Sequence, residues 1–459
     1  MSLRNRDGKA SSGELRVSVS GIRGIVGASM TPEVALKFSA SFGNILGGGK
    51  VVVGRDTRPS GEGIKAAVVS GLIATGCSVV DVGIAPTPTV LFIRKELGAA
   101  GAVVVTASHN PGEWNALKLA GPDGNFIHGD LSRRLLETYE SGEIKWNTCG
   151  ELGVYSSMDG IGPHVEAILS LPILNTERIK NRGLRVILDC VNGAGSDAAQ
   201  ALLARLGCDV IPVNCEKTGI FTRDPEPVAA HLGELEARVK ERKADIGFAL
   251  DPDADRLSVV DEKGRAAGEE LTLPLVVDLI LRHEKGPIVI NLSTSMIAED
   301  IAEAHGVPSY RTPVGEVNVA LLMREKSAVI GGEGNGGIMY PGLHIARDGI
   351  CGMALILQYI LERGESVSEI VSGYPSYHMI KKKIGIGARK AADVLDKLEV
   401  EAFGEVNRED GLRITGDGAW VHLRPSNTEP VMRIIAEAKS GDEAKKLAAF
   451  FEEKIIELL

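Results

Sequence analysis

The stretch KVVVGRDTRPSGEGIKAAVVSGLIATGCSVVDVG, residues 50–83, carries the reading of the fold. It opens on a β-branched apolar run and breaks at a polar turn holding Pro59 and Gly61. From Ile64 it continues as a helix-compatible segment, and after Gly76 it restarts as a second apolar run. A short unbroken apolar run bounded by turn residues reads as a strand buried on both faces, and strand–helix–strand units of this length read as parallel pairs covered by helices. The pattern recurs at 183–214 (GLRVILDCVNGAG, SDAAQALLARLG, CDVIPVN) and at 286–315 (GPIVINLSTS, MIAEDIAEAHG, VPSYRTPVG). Three copies predict three similar doubly wound α/β domains. The tail reads differently. It runs strand, helix ARKAADVLDKLEVEAF, strands GLRIT and GAWVHLRPS, strand EPVMRIIAEAK and an amphipathic helix from Asp442, which is an α+β pattern. Breaks at 141–153, 261–270 and 373–377 set the expected domains at 1–155, 156–262, 263–374 and 375–459.

Composition narrows the class. The 459 residues are 44% hydrophobic and 24% charged, too apolar for a disordered chain. Lys plus Arg total 51 against 61 acids, a net charge of −10, which argues against a nucleic-acid partner. No run of 18 apolar residues occurs and MSLRNRDGKASSGE lacks an apolar signal core, so neither membrane nor secretion is expected. Cys77, Cys149, Cys190, Cys208, Cys215 and Cys351 are scattered without a C-x-x-C, which predicts buried thiols in a reducing cytoplasm. Glycine stands out: 55 of 459 is about 12%, against a usual ~7%. Without a G-x-y period, these glycines serve turns and close backbone approach, as an α/β enzyme for small anions requires.

In such sheets ligands bind at loops leaving the carboxyl ends of strands. Five loops carry chemistry. Thr106-Ala107-Ser108-His109-Asn110-Pro111 sets a hydroxyl beside an imidazole; it reads as a nucleophile or as a plain turn, and without G-x-S-x-G it is no acyl-transfer elbow. Asp251-Pro252-Asp253-Ala254-Asp255-Arg256 hangs three carboxylates between two apolar runs. They repel unless a cation sits among them, and oxygen-only ligation favours Mg²⁺ or Mn²⁺. An EF-hand fails because Arg256 stands where glycine is needed and the flanks read as strands. Arg424-Pro425-Ser426-Asn427-Thr428-Glu429-Pro430 gathers donors suited to a phosphate dianion, with an ordinary polar turn as the alternative. Gly331–Gly337 leaves Glu333 and Asn335 as its only side chains, placed for vicinal sugar hydroxyls. Ser20-Gly21-Ile22-Arg23-Gly24, with Arg55 and Arg58 in a second basic loop, offers arginines able to reach phosphate. A serine, a divalent-metal loop, a phosphate loop and a sugar loop are the parts of phosphoryl transfer on a sugar phosphate.

SGIRG, TASHNP, DPDADR, GGEGNGG and RPSNTEP, in that order, resemble the α-D-phosphohexomutases, the family of phosphoglucomutase, phosphomannomutase and phosphoglucosamine mutase. The resemblance runs from about Leu15 to the C-terminus. It implies four domains around a central active-site cleft and an isomerase that interconverts hexose 1- and 6-phosphates. Ser108 would carry a phosphoryl group, and Ser108, Asp251, Asp253 and Asp255 would hold Mg²⁺. Arg256 would help neutralise the phosphate. Arg424, Ser426, Asn427 and Thr428 would dock the substrate's own phosphate while Glu333 and Asn335 meet the sugar. His109, Lys118 and Arg23 match positions near the serine, unranked as general base. Thr312 and Gly315 match a loop that helps distinguish substrates, and His344 and Arg347 are expected to line the cleft. The resemblance further implies a trace of hexose 1,6-bisphosphate as activator, sugar phosphates as the partners, and a monomer or homodimer. Asn335 replaces a common serine, and Trp114 and Ala116 depart from the usual pattern, which puts the sugar in question. SVSGIRG and GEWNALK look most like a bacterial branch usually assigned to phosphoglucosamine mutase.

Other classes fit less well. Gly193-Ala194-Gly195-Ser196-Asp197-Ala198 formally matches the dinucleotide fingerprint G-x-G-x-x-A, but Asp209 falls short of the usual ~20-residue spacing. GGGK at 47–50 lacks the Ser/Thr of a phosphate-binding loop. A sugar phosphatase on the same scaffold would differ only in letting water reach phosphoserine.

Overall fold

The computed structural model describes residues 15–18, 21–386, 391–425 and 431–459. Ser20 and the predicted phosphate ligands Ser426, Asn427 and Thr428 lie outside the described residues. The first sheet holds β1 (Arg16–Ser18), β2 (Gly21–Ile25), β3 (Gly49–Arg55), β4 (Cys77–Ile84), β5 (Gly101–Val105), β6 (Trp114–Ala120) and β7 (Tyr155–Ser157), in the order β1-β2-β6-β5-β3-β4-β7. The second orders β11 (Leu257–Val260), β10 (Ile246–Leu250), β8 (Arg185–Asp189) and β9 (Asp209–Val213). The third orders β13 (Ser309–Thr312), β12 (Ile288–Asn291), β14 (Ile330–Glu333) and β15 (Gly337–Met339). The last is antiparallel throughout, ordering β16 (His378–Gly385), β20 (Val431–Ala438), β19 (Ala419–Pro425), β18 (Leu412–Gly416) and β17 (Glu405–Asn407).

Local chemistry explains the elements. In the opening unit Val51, Val52 and Val53 are fully buried in β3 and pair in parallel with β4 across the helix Gly61–Ala74. The helix Pro32–Leu46 starts where Thr31 accepts a hydrogen bond from Val34 N, with proline in the first turn, and stops at Gly47 in the left-handed region. Of the cysteines, Cys77, Cys190 and Cys351 are buried, but Cys149 is exposed and Cys208 and Cys215 are half-buried; all six are free thiols. Among the described residues no helix is long and apolar enough to cross a membrane.

The sheets are not purely parallel as expected. β6 returns antiparallel to β5, β11 to β10 and β15 to β14. The reason is the length of the intervening loops, which are too short for the dozen-residue crossover a parallel partner needs. The Ser108, Asp251–Asp255 and Glu333–Asn335 loops are therefore hairpin tips at strand ends. β7 also joins the first sheet beside β4, past the boundary expected at residue 155.

Candidate active site

Ser108 sits in the tip between β5 and β6 with φ of 50°, a left-handed conformation costly for a side-chain-bearing residue. Its surroundings fix that conformation. Ser108 N donates to Thr106 Oγ1 at 3.0 Å, and Thr106 donates to Asp56 at 2.7 Å. Arg58, fully buried, pairs with Asp56 and gives its remaining donors to the carbonyls of Ser108 and Asn110 at 2.6 Å and of Pro111 at 2.7 Å. Arg58 is thus a scaffold for the serine loop, contrary to its expected reach toward phosphate. Arg55 likewise pairs with Glu62.

The Asp loop meets this serine. Ser108 Oγ donates to Asp251 Oδ2 at 2.9 Å and lies 3.2 Å from His109 Nδ1. Asp251, Asp253 and Asp255 are fully buried, with one oxygen of each within 4.8 Å of the others. Lys118 Nζ reaches Asp253 at 2.6 Å and Asp255 at 2.8 Å, and Thr87 Oγ1 donates to Asp253 at 2.5 Å. Asp253 Oδ1 and Asp255 Oδ1 are buried with no hydrogen-bond partner among the described residues. Orphaned carboxylate oxygens are costly, and a hard divalent cation is what such a donor set accepts.

The electrostatics follow. Burial, then Asp255 and Asp253, push Asp251 well above its usual pKa. Asp255 moves the other way: against the burial cost, Arg347, Lys118 and Arg256 hold it ionised. Burial opposes a charge on Lys118, but Asp253 and Asp255 override it and keep the ammonium protonated. His109 is driven well below its ordinary value by burial and by Arg256 and Arg23, so its imidazole is neutral. Burial and Arg256 bring Arg23 down to about 10.

The sugar loop is tied to the Asp loop by Arg347. Its guanidinium contacts Asp255 at 2.7 Å, Glu333 at 2.9 Å and Glu316 at 3.0 Å. Glu333 also accepts from Asn291 Nδ2 at 2.9 Å and Gly315 N at 3.0 Å, while Asn335 lies 3.4 Å from it. Arg424 pairs with Asp410 at 2.7 Å, and Asp410 accepts from Val314 N at 3.0 Å, so the last domain reaches the loop before Glu316.

Ser108, His109, Lys118, Arg23, Arg256, Gly315, Glu333, Asn335, Arg347 and Arg424 all border one cleft of about 360 Å³. Asp251, Asp253 and Asp255 are buried against Ser108, Lys118 and Arg347 of that lining, and two further expected residues stand apart from it. His344 is buried against Asp348 and His164, because the 340–348 segment turns its imidazole away from the cleft. Thr312 is buried at the end of β13 and stands outside the lining. Sequence reasoning missed Arg16, Lys381 and Arg433, which also line the cleft. Register would have found Arg433: it pairs directly with Arg424 on β19 and Lys383 on β16, and like charges directly opposite on a sheet are destabilising, which favours an anion nearby. The glycines of the formal dinucleotide match have another task. A Cβ on Gly193 would lie 2.6 Å from Pro252 O, so this turn is glycine because the Asp loop presses on it.

Fold and site together define an isomerase of the phosphohexomutase class. Models of the phosphoglucomutase/phosphomannomutase α/β/α domains I, II and III match residues 15–145, 162–264 and 268–377, and the model of the C-terminal domain matches 385–454. The chain belongs to the phosphoglucomutase/phosphomannomutase family. It is 40% identical over 439 residues to a phosphoglucomutase/phosphomannomutase of Thermococcus kodakarensis, covering 93% of this chain and 95% of the relative. It is 38% identical over 435 residues, with the same coverage, to a probable phosphoglucosamine mutase of Methanopyrus kandleri. A phosphoglucomutase/phosphomannomutase family protein of Burkholderia thailandensis superposes with a TM-score of 0.83 at 28% identity, over 96% of this chain and 98% of that one.

Proposed function

We propose that this chain moves a phosphoryl group between C1 and C6 of a hexose phosphate through phosphorylated Ser108, with glucosamine phosphate as the preferred sugar. The observation that carries the reading is the 2.9 Å approach of Ser108 Oγ to Asp251, beside two buried carboxylate oxygens that accept no hydrogen bond among the described residues. Asp251, Asp253 and Asp255 would hold Mg²⁺, which supplies charge neutralisation on the transferring phosphoryl group. The names of the relatives, several of them probable phosphoglucosamine mutases, support the choice of sugar.

The chain's own groups divide the remaining work. Arg424 and Arg433, with the 426–428 loop, bind the phosphate that does not react, and Glu333 orients the ring through its hydroxyls. A free sugar hydroxyl then attacks phosphorus, the P–O bond to Ser108 breaks, and a hexose 1,6-bisphosphate forms. The hydroxyl loses its proton as Ser108 Oγ regains one. Neutral His109, 3.2 Å from Oγ, is placed to exchange that proton, whereas Lys118 is held charged between two carboxylates and acts as a fixed cation. After the bisphosphate reorients, the reverse step returns the other phosphoryl group to Ser108. A trace of bisphosphate would recharge any enzyme that lost its phosphate.

The test compares initial rates on the 1-phosphates of glucosamine, mannose and glucose with Mg²⁺ and trace bisphosphate, alongside Ser108→Ala. Fastest turnover on glucosamine 1-phosphate, abolished by Ser108→Ala, supports the reading. Full activity in Ser108→Ala overturns the mechanism, and a faster rate on another sugar overturns the substrate. Release of free phosphate in place of the 6-phosphate would mark a phosphatase.

A further inference from the structure

Behind the cleft lies a second buried polar cluster that the mechanism does not use. His164 Nε2 and His344 Nε2 each lie 2.9 Å from Asp348 Oδ2, and Thr89 Oγ1 lies 2.8 Å from His164 Nδ1. All four are buried, and Phe92 stacks on His164 at 5.0 Å. The other Asp348 oxygen accepts from Cys351 N, capping the helix Gly349–Arg363. The cluster therefore joins two helix N-termini. Thr89 lies in the first turn of the helix Thr87–Glu96, and Asp348 caps the other.

Both ends press on the Asp loop. Thr87 N donates to Asp253 O at 2.9 Å while its hydroxyl binds the Asp253 carboxylate. Gly349 N donates to Ala254 O at 3.1 Å, and the residue before the cap is Arg347, the clamp on Asp255, Glu316 and Glu333. Thr89 belongs to the first domain, His164 to the second, and His344 and Asp348 to the third.

We propose that Thr89–His164–Asp348–His344 is a positioning strut: it fixes the spacing of the two helix N-termini and, through Arg347, holds Glu333 and Asp255 in working register. None of the four touches the reacting atoms. Two imidazole N–H groups and one backbone N–H on a buried carboxylate satisfy it fully, so the unit is rigid. Buried partners of this kind tune the groups they support without contacting substrate. The inference rests on the mutase reading of the cleft.

The experiment exploits amide geometry. Glutamine at position 344 places an N–H near the site of Nε2, whereas asparagine reaches only the site of Nδ1. On the hexose 1-phosphate that wild type turns over fastest, H344L and H344N should raise KM by about tenfold, within the 10–100-fold span of supporting-residue losses, while H344Q stays within about threefold of wild type. Ser108 phosphate content, read by intact mass, should be equal in all. Equal KM values for H344Q and H344N overturn the strut, as does a stoichiometric metal that wild type carries and H344Q loses. Should H344L fail to fold, the glutamine–asparagine pair decides. If wild type turns over no hexose phosphate, the mutase reading falls and the strut is tested by Mg²⁺-dependent thermal shift. H344N should then raise the half-saturating Mg²⁺ concentration several-fold and H344Q should not; identical values reject it.

Discussion

Replacing Lys118 with methionine isolates the charge balance of the metal loop. Methionine keeps most of the buried stem and removes the ammonium that lies 2.6 Å from Asp253 and 2.8 Å from Asp255, in a side chain only 3% exposed. Removing one partner of a buried ion pair leaves an uncompensated charge and costs about 3–5 kcal/mol. Arg347 still contacts Asp255 but not Asp253, so Asp253 bears most of the loss. At roughly 2–4 °C per kcal/mol for a domain of this size, the metal-free thermal midpoint should fall by about 6–20 °C. Mg²⁺ restores much of this if it binds among the three aspartates, since ligand at 100 times its Kd stabilises by about 2.7 kcal/mol. The assay is differential scanning calorimetry of wild type and Lys118→Met, each in EDTA and in saturating MgCl₂. The Mg²⁺-induced rise should be larger in the variant, because it no longer carries a resident cation that competes for the carboxylates. A variant that melts with wild type in EDTA, or gains no more from Mg²⁺ than wild type does, refutes this account of the loop.

Other consequences can be checked together. Because Asp410 pairs with Arg424 and accepts from Val314 N, Asp410→Asn should raise KM for the sugar phosphate several-fold with a smaller change in kcat, measured by initial rates. His109 must be neutral to accept a proton, and burial with Arg256 and Arg23 lowers its pKa, so the acid limb of kcat against pH should fall well below 6.5. Arg256→Ala removes one lowering charge and should move that limb toward neutrality; an unmoved limb excludes His109 as its source. Burial raises Glu270 to about 7 even beside Lys381. The folded state therefore binds the extra proton, so this contribution to stability is full below pH 4.5 and is lost as pH rises through about 7. Glu270→Gln should flatten that decline in thermal midpoint between pH 5 and 8.

What could be read in advance tracks the range of the interaction. TASHNP and DPDADR are contiguous, and each holds its groups on one turn, so their chemistry is legible from spacing. The apolar runs of β6, β11 and β15 look the same in either direction, so their antiparallel return is legible only from the short loops that precede them. Arg58 and Arg347 show the harder limit. From the sequence, Arg58 reads as a cation able to reach phosphate and Arg347 as a residue lining the cleft. Arg58 is instead turned inward onto carbonyls of residues 108–111, and Arg347 onto carboxylates of three separate segments. His344 is the same case, since only tertiary packing reveals that its partner is His164, 180 positions earlier, across Asp348.

The C-terminal sheet has one further consequence. Lys383, Arg433 and Arg424 stand abreast on three adjoining strands, and Asp410 answers the charge of Arg424 at 2.7 Å, so an oxyanion bound across the row would add to the negative charge already placed there. An oxyanion bound there is thus a stabiliser of this domain as well as cargo. Inorganic phosphate or sulfate in a storage buffer would act as a selective stabiliser of the last 80 or so residues, a contribution that an enzyme kept in chloride would go without.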